Sequence, residues 1–214
     1  ELRRVPADDI EAHLGENVAA LLLTQVDYRT GRRLDLAALT AQAQAKGIVT
    51  VWDLAHSAGA FPVDLRGAGA DFAVGCGYKF LNGGPGAPAF LFAAERHHGA
   101  APVAISGWMG HADPFEMARD FTPAPGARRF VAGTPVVLSL SALDEALDVF
   151  ADVDLDALRA KSLSLTDTFI DLVEPLAARF PLTLVTPRDH ARRGSQVSYR
   201  HLRSEEHTSE LQSP

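Results

Sequence analysis

The sequence predicts an α/β fold with a mostly parallel sheet, followed by the start of a small α+β domain. Apolar runs of strand length recur along the first half of the chain, and helical sequence separates the first two runs. Near residue 181, helical periodicity gives way to short β-rich segments. We therefore expect a large domain over residues 1–150, a linking helix and the opening of the small domain over 151–202, and an unrelated tail over 203–214.

The first two predicted strands form a β-α-β unit. Ala19 to Val26 is an apolar run that suits a strand buried on both faces. Asp35 is a suitable N-cap for the helix that follows, and Gly47 is a suitable residue to end it. A second apolar run, from Ile48 to Asp53, gives the next strand. Because a helical crossover joins parallel strands, both strands should end at the same edge of the sheet.

The remaining elements follow from apolar spacing and from breaks in it. A short helix is predicted at Ser57 to Ala60, and two more strands at Asp71 to Gly77 and Ala87 to Ala93. Residues 99–135 are rich in glycine and proline, which predicts long functional loops. Two helices should then follow, at Ser141 to Phe150 and Leu155 to Phe180; the second has apolar residues at helical spacing, namely Leu158, Leu165, Phe169, Leu172 and Leu176.

The end of the chain predicts a second domain that is only begun. Strands are expected at Leu182 to Pro187 and Ser195 to Arg200. Residues 203–214 have no apolar period and do not continue the strand before them, so we interpret them as unrelated to the fold. The chain opens on Glu1 rather than methionine, and we expect the parent protein to extend beyond both ends.

The composition favours a globular protein with a small-molecule partner. A net charge of −7 and a pI near 5.6, with no basic run, argue against nucleic-acid binding. The longest purely apolar run, Val18 to Leu23, is too short to cross a bilayer, so no membrane partner is expected. The single cysteine, Cys76, fits a reducing compartment, and we expect a cytoplasmic location.

Polar residues close two of the predicted strands. Thr24 and Asp53 lie where ligands gather in open parallel sheets, and His56 follows three residues after Asp53. Each has a structural alternative: Asp53 could cap the next helix, and His56 could be a hydrogen-bonded structural residue. Lys79 follows the third strand and should face the same crevice, because it lies one β-α-β step further on.

The stretch GCGYKFLNGGPG, residues 75–86, surrounds Lys79 with glycines. Lys79 and Asp53 could simply form an ion pair, but a pair alone does not require a glycine-rich backbone. A carbonyl cofactor held by Lys79 as a Schiff base would require one, because its ring and phosphate must lie against bare backbone. Pyridoxal phosphate (PLP) has an aldehyde for the lysine and a ring nitrogen for an acidic partner such as Asp53. No metal is expected.

Longer stretches resemble the kynureninase family. The paired patterns D-L-A-H and Y-K-x-L-N-G-G-P-G are the most specific part, and the resemblance covers Glu1 to His201. It implies a three-layer fold-type-I PLP enzyme, near the class V aminotransferases and cysteine desulfurases. The stretches are TQVDYRTG (Thr24 to Gly31), WDLAHSAGAFPVDL (Trp52 to Leu65), ADFAVGCGYKFLNGGPGAPAFLF (Ala70 to Phe92), GWMGH (Gly107 to His111) and FVAGTP (Phe130 to Pro135).

The resemblance implies a role for each matched position near the cofactor ring. Lys79 would hold PLP and later move protons, and Asp53 would pair with the ring nitrogen. Thr24 would contact the cofactor near the ring, and His56 would lie beside the ring or its phosphate.

Three further residues are implied to hold the phosphate. They are Tyr78, Trp108 and Thr134, the last two reaching across from the partner subunit of a homodimer whose active site lies at the interface. The structural alternatives are core aromatic residues for Tyr78 and Trp108, and an ordinary turn residue for Thr134.

The activity that the resemblance implies is hydrolysis of L-kynurenine to anthranilate and L-alanine in tryptophan catabolism, with 3-hydroxykynurenine as the alternative substrate. A second interpretation is a cysteine desulfurase, although Cys76 lies on a strand rather than in the mobile loop that such chemistry needs. A third is an inactive fragment. Family members hold the cofactor and the substrate carboxylate with further residues that are absent from this chain.

Overall fold

A four-stranded sheet forms the centre of the molecule, a computed structural model that describes residues 1–99, 102–177 and 179–202. Its strands follow chain order, and the first three are parallel while β4 runs antiparallel to β3. The predicted α/β class with a mostly parallel sheet is confirmed. The strands are β1 (Ala20–Thr24), β2 (Val49–Asp53), β3 (Phe72–Cys76) and β4 (Ala89–Ala93).

Helix α1 (Leu36–Gln44) covers one face of this sheet. Asp35 is its N-cap, as predicted, and its side chain accepts a hydrogen bond from the backbone N–H of Ala38 at 3.0 Å. The indole of Trp52 in β2 donates to the hydroxyl of Thr40 at 2.9 Å, which satisfies both groups in the core. The apolar core here includes Ile10, Leu36, Leu39, Ala43, Ile48 and Trp52.

Strand β1 is not buried on both faces, contrary to the expectation. It is an edge strand, and Leu22 is 68% exposed. An apolar run indicates a strand but does not show how many neighbours cover it, because that depends on the sheet order.

Residues 57–60 form turns and not the predicted helix. Gly59 has φ +84°, a left-handed conformation that an α-helix does not contain. The turn brings the backbone at Gly59 against the carbonyl oxygen of Phe80, where an added Cβ would lie only 2.4 Å away.

Two helices follow the long loops, as predicted. They are α2 (Val137–Asp148) and α3 (Leu155–Ala177), so α2 begins four residues earlier than expected and α3 ends three residues earlier. The apolar stripe of α3 is largely exposed at Leu165, Phe169 and Leu172. Within the described ranges, no helix combines the length and apolar character needed to cross a membrane.

A two-stranded antiparallel sheet follows α3. It comprises β5 (Leu182–Leu184) and β6 (Tyr199–His201), both shorter than the predicted strands. The predicted unrelated tail, residues 203–214, lies outside the described residues.

Candidate active site

The carboxyl ends of the parallel strands gather the predicted site residues. Thr24 and Asp53 are the last residues of β1 and β2, and they are direct partners in the strand register. Strand β3 lies next to β2 and ends at Cys76, three residues before Lys79. The sheet order therefore places all three at one edge, although turns and not the predicted helix connect β2 to β3.

Asp53 both caps a turn and keeps one carboxylate oxygen free. Its Oδ1 accepts a hydrogen bond from the backbone N–H of Ala55 at 2.8 Å, so the structural alternative of a cap is real. In the part of the chain that the structure describes, its Oδ2 has no hydrogen-bond or ion-pair partner. That oxygen is available to a ligand.

Lys79 does not form an ion pair with Asp53. Across the described residues no carboxylate lies within ion-pair distance of its ammonium, which instead lies 5.3 Å from the centroid of the Tyr78 ring. Tyr78 itself is 49% exposed and is not a core aromatic residue. The half-buried amine of Lys79 is therefore uncommitted, and the simple ion-pair explanation is wrong for this structure.

His56 links these groups electrostatically. Burial lowers the pKa of its imidazole below the ordinary value, and the positive charge of Lys79 lowers it further. The carboxylates of Asp53 and Asp27 act in the opposite direction but do not cancel the decrease. Since both Lys79 and Asp53 act on the same imidazole, and the sheet order places their strands side by side, the three groups lie at the same edge of the sheet. Among the described residues the ring has no hydrogen-bond partner, so the structural alternative for His56 is not observed.

The glycines around Lys79 serve the chain's own packing more than the sequence suggested. An added Cβ at Gly75 would lie 2.3 Å from a ring atom of β4, and at Gly77 and Gly83 it would lie 2.7–2.9 Å from backbone or methyl atoms. These three glycines are explained without a ligand. Gly84 and Gly86 differ, since they have φ of +70° and +88° and open space around them. The expectation that the whole stretch is bare for a cofactor is thus corrected.

Trp108 and Thr134 are both exposed, and the backbone segments that carry them touch each other. Trp108 is 43% exposed and meets Phe115 edge to face at 5.7 Å, so it is not a core residue. The backbone at Gly107 touches Ala132, two residues before the exposed Thr134. Within the described ranges, no hydrogen bond, ion pair or ring contact joins either side chain to the strand-edge residues of the same subunit.

Sequence reasoning missed Asp27, which influences His56 from the loop after β1. Its Oδ1 accepts hydrogen bonds from the backbone N–H groups of Arg29 and Thr30 and from the Thr30 hydroxyl, at 3.1, 2.7 and 2.8 Å. The sequence D-x-x-T shortly after an apolar strand is typical of such a turn, and this signal could have identified it.

The side chains at the carboxyl edge fit PLP. An uncommitted amine suits its aldehyde, a carboxylate with a free oxygen suits its ring nitrogen, and an imidazole with a lowered pKa adds no charge beside the amine. An α/β sheet with this set of side chains fits the class of fold-type-I PLP enzymes.

Comparison with known proteins identifies the family. The sequence pattern of the class V aminotransferases matches residues 1–211, and the chain belongs to that family. It is 72% identical to the kynureninase of Deinococcus radiodurans over 211 residues, which is 99% of this chain and 52% of that protein. The kynureninase of Burkholderia mallei is 51% identical over 203 residues, 94% of this chain and 49% of that protein. The chain thus spans about half the length of the curated relatives it matches.

Solved structures show the same fold at lower identity. An apo cysteine desulfurase from Thermococcus onnurineus superposes with a TM-score of 0.73 at 21% identity, covering 91% of this chain and 47% of that one. A C-DES variant that carries glycine covalently linked to its PLP cofactor has a TM-score of 0.73 at 19% identity, covering 96% of this chain and 53% of that one. These likenesses support the fold alone.

Proposed function

We propose that this chain carries the lysine-bearing part of a kynureninase, which hydrolyses L-kynurenine to anthranilate and L-alanine. The observation that carries the proposal is the uncommitted amine of Lys79 at the same carboxyl edge of the sheet as His56 and Asp53. Identities of 72% and 51% to two kynureninases favour this reaction over that of the desulfurases, which share the fold at 21–26% identity.

Bound PLP would supply an aldehyde that captures amines and a ring that withdraws electrons from the carbon next to the captured nitrogen. Lys79 is assigned two tasks, holding the cofactor as a Schiff base between turnovers and accepting the α proton of the substrate when its amine is free. Water adds to the γ-carbonyl of kynurenine, and cleavage of the Cβ–Cγ bond gives anthranilate and alanine. One water is consumed, so the atoms balance.

The neighbouring side chains would set the charge around this lysine. The free Oδ2 of Asp53 would hold the proton of the ring nitrogen, while its Oδ1 stays fixed on Ala55. His56, with its lowered pKa, would contact the cofactor as a neutral ring. Thr24 would stand near the ring, although its hydroxyl also donates to the carbonyl of Val26 at 3.1 Å.

The phosphate would be held by Tyr78 together with Trp108 and Thr134 of a partner subunit. The exposure of Trp108 and Thr134, and the contact between the backbone segments that carry them, support an assignment across a homodimer interface. The proposal also includes a cytoplasmic location, for which the free thiol of Cys76 is the supporting observation.

The test is a chimera in which this chain replaces the matching part of the D. radiodurans kynureninase. With PLP and L-kynurenine, we expect the fluorescence of anthranilate to appear, and the same chimera with Lys79→Ala should form it at least about 1000-fold more slowly. Sulfide release from cysteine in place of anthranilate would favour a desulfurase. No product from either substrate, beside an active unmodified relative, would favour an inactive chain. Replacing kynurenine by 3-hydroxykynurenine in the same assay measures the substrate preference.

A further inference from the structure

A small apolar cluster lies directly behind the site residues. It consists of the buried Val26, Ala60 and Phe61, with Phe80 packed against them, and we call it the loop cluster. Val26 follows β1, Ala60 and Phe61 end the turn that follows β2, and Phe80 is the residue after Lys79. Each of the three loops that carry the site residues therefore contributes to one cluster.

A glycine contact fixes two of these loops against each other. The turn after β2, which contains His56, meets the carbonyl oxygen of Phe80 at Gly59, and an added Cβ would lie 2.4 Å from that oxygen. Since no other residue tolerates this approach at φ +84°, glycine at position 59 lets the turn of His56 pack directly against the backbone next to Lys79.

Two guanidinium groups lie over the aromatic ring of Phe61 in the loop cluster. The guanidinium carbon of Arg33 lies 4.7 Å from the centroid of the Phe61 ring, and that of Arg159 lies 5.2 Å from it. Arg33 belongs to the loop after β1, whereas Arg159 lies on α3, far along the chain. Phe61 is therefore the point where the loops of the sheet meet the linking helix.

Arg159 is buried, and its hydrogen bonds all go to a single segment. Its Nη1 donates to the carbonyl of Gly194 at 2.9 Å, and its Nη2 donates to those of His190 and Arg193 at 3.0 and 2.5 Å. Burial, with the nearby charges of Arg33 and Arg193, lowers the pKa of Arg159 to about 10, so the group remains charged at neutral pH. Such an interior cation is retained only where its donors are well satisfied.

The segment held by Arg159 is in turn paired with the loop after β1. The N–H of Gly194 donates to the carbonyl of Gly31 at 2.7 Å, and the N–H of Arg33 donates to the carbonyl of Arg192 at 2.7 Å. Arg159 thus acts on the loops from two sides, through the Phe61 ring and through residues 190–194.

We propose that Arg159 is a positioning residue for the site, fixing the loop of Lys79 and the turn of His56 next to Asp53 through the ring of Phe61 and the backbone of residues 190–194. The inference rests on the proposed function, because it assumes that these three residues hold the cofactor. Arg159 itself contacts neither cofactor nor substrate in this scheme. Lysine keeps the charge but cannot make the forked hydrogen bonds or the flat stack of arginine, so Arg159→Lys isolates the geometric role.

The experiment compares Arg159→Lys with Arg179→Lys, a matched control whose exposed guanidinium lies over Phe180 at 5.6 Å on the surface. PLP attachment at Lys79 is fixed with borohydride and counted by mass spectrometry. The visible circular dichroism of the unreduced cofactor is then expressed per attached molecule, because it reports orientation rather than occupancy. In the chimera, kcat and KM are measured separately.

We expect Arg159→Lys to keep PLP attachment but to lower the dichroism per cofactor by at least half, and to lower kcat by about 10-fold to 100-fold with little change in KM. Arg179→Lys should match the parent in every measurement. Equal dichroism and kcat in Arg159→Lys and the parent would overturn the inference. If Arg159→Lys does not fold, Phe61→Leu is judged by the same criteria, and loss of folding in both variants would show a purely structural role and also overturn it.

The two proposals fail in different ways. A parent chain that does not attach PLP at Lys79 contradicts the proposed function. If the unsubstituted chain attaches PLP but Arg159→Lys has the same dichroism and kcat, only the positioning role is contradicted.

Discussion

The two edges of the parallel strands treat their charged residues in opposite ways. At the amino edge, before β3, Asp71 is 5% exposed and both of its oxygens are occupied. Oδ2 accepts from Thr50 and Gln44, and Oδ1 accepts from Arg96 and His97. At the carboxyl edge, Asp53 has one committed oxygen and Lys79 has no carboxylate partner among the described residues.

The pairing at Asp71 lowers the pKa of its carboxyl. Burial alone would raise the pKa of this carboxyl, but the hydrogen bonds from His97, the backbone of Thr50, Arg96 and Gln44 outweigh burial and hold the pKa well below its usual range. The comparison teaches that the same sheet uses satisfied charges for stability at one edge and leaves charges available for a ligand at the other.

The largest expected effect concerns the amine of Lys79 at the carboxyl edge. Lys79→Ala should abolish borohydride-fixed PLP attachment and lower kcat in the chimera by about 1000-fold or more, because proton transfer alone contributes about 100-fold to 10,000-fold. The free energy of unfolding should change by less than about 0.5 kcal/mol, since the amine has no ion-pair partner in the described residues. Mass spectrometry and urea unfolding check both parts, and persistent attachment in the variant would contradict the assignment of Lys79.

Asp53→Asn should come next in size. The asparagine oxygen can still accept the hydrogen bond from Ala55, so the turn survives while the negative charge is lost. We expect kcat in the chimera to fall by about 100-fold to 1000-fold, the range for losing one electrostatic partner of the reacting group. Steady-state kinetics measures the fall, and an unchanged kcat would exclude Asp53 as the partner of the ring nitrogen.

Asp71→Asn tests the amino edge, and it should lower stability rather than kcat. Removing one partner of this buried network should lower the free energy of unfolding by about 3 kcal/mol. Urea unfolding measures the loss, and Asp53→Asn is the matched control, which we expect to change it by less than about 1 kcal/mol. Equal losses in the two variants would remove the distinction between the edges.

The carboxyl of Asp71 should also make the free energy of unfolding depend on pH. Because the pKa of Asp71 is lower in the folded state than the value of about 3.9 in an unfolded chain, the unfolded state binds more protons as the pH falls. The contribution is therefore present above about pH 4 and is lost as the pH falls below that value. Between about pH 5 and about pH 3, the free energy of unfolding should therefore fall more steeply in the unsubstituted chain than in Asp71→Asn. Urea unfolding at each pH measures both slopes.

The smallest expected effect is a change in the pKa of His56 at the carboxyl edge. The ring of His56 should titrate below its ordinary value, and Lys79→Ala should raise its pKa because one of the lowering charges is removed. Asp53→Asn should lower it further, since that carboxylate raises the pKa. Histidine ring NMR of the isolated chain measures both shifts, and an unchanged titration in both variants would separate His56 from its two neighbours.

Sequence reasoning worked where the signal was local. The strand ends at Thr24 and Asp53, the N-cap at Asp35 and the helical period of α3 all depend on neighbouring residues, and the structure confirms them. The turn at residues 57–60 was mispredicted because Gly59 takes its conformation from a contact with Phe80, 21 residues away. The apolar spacing correctly predicts helix α3, but it does not predict the exposure of the apolar side chains, which depends on the elements that pack against the helix.

By itself, the sequence determined the order of strands and helices, the amine and carboxylate at the ends of two strands, and the family resemblance, because these depend on local pattern and residue type. Only the tertiary structure decided which charges are paired, which glycines are required by packing, and how Arg159 reaches Phe61. Those outcomes depend on contacts between distant parts of the chain, and no local pattern specifies which distant groups will meet.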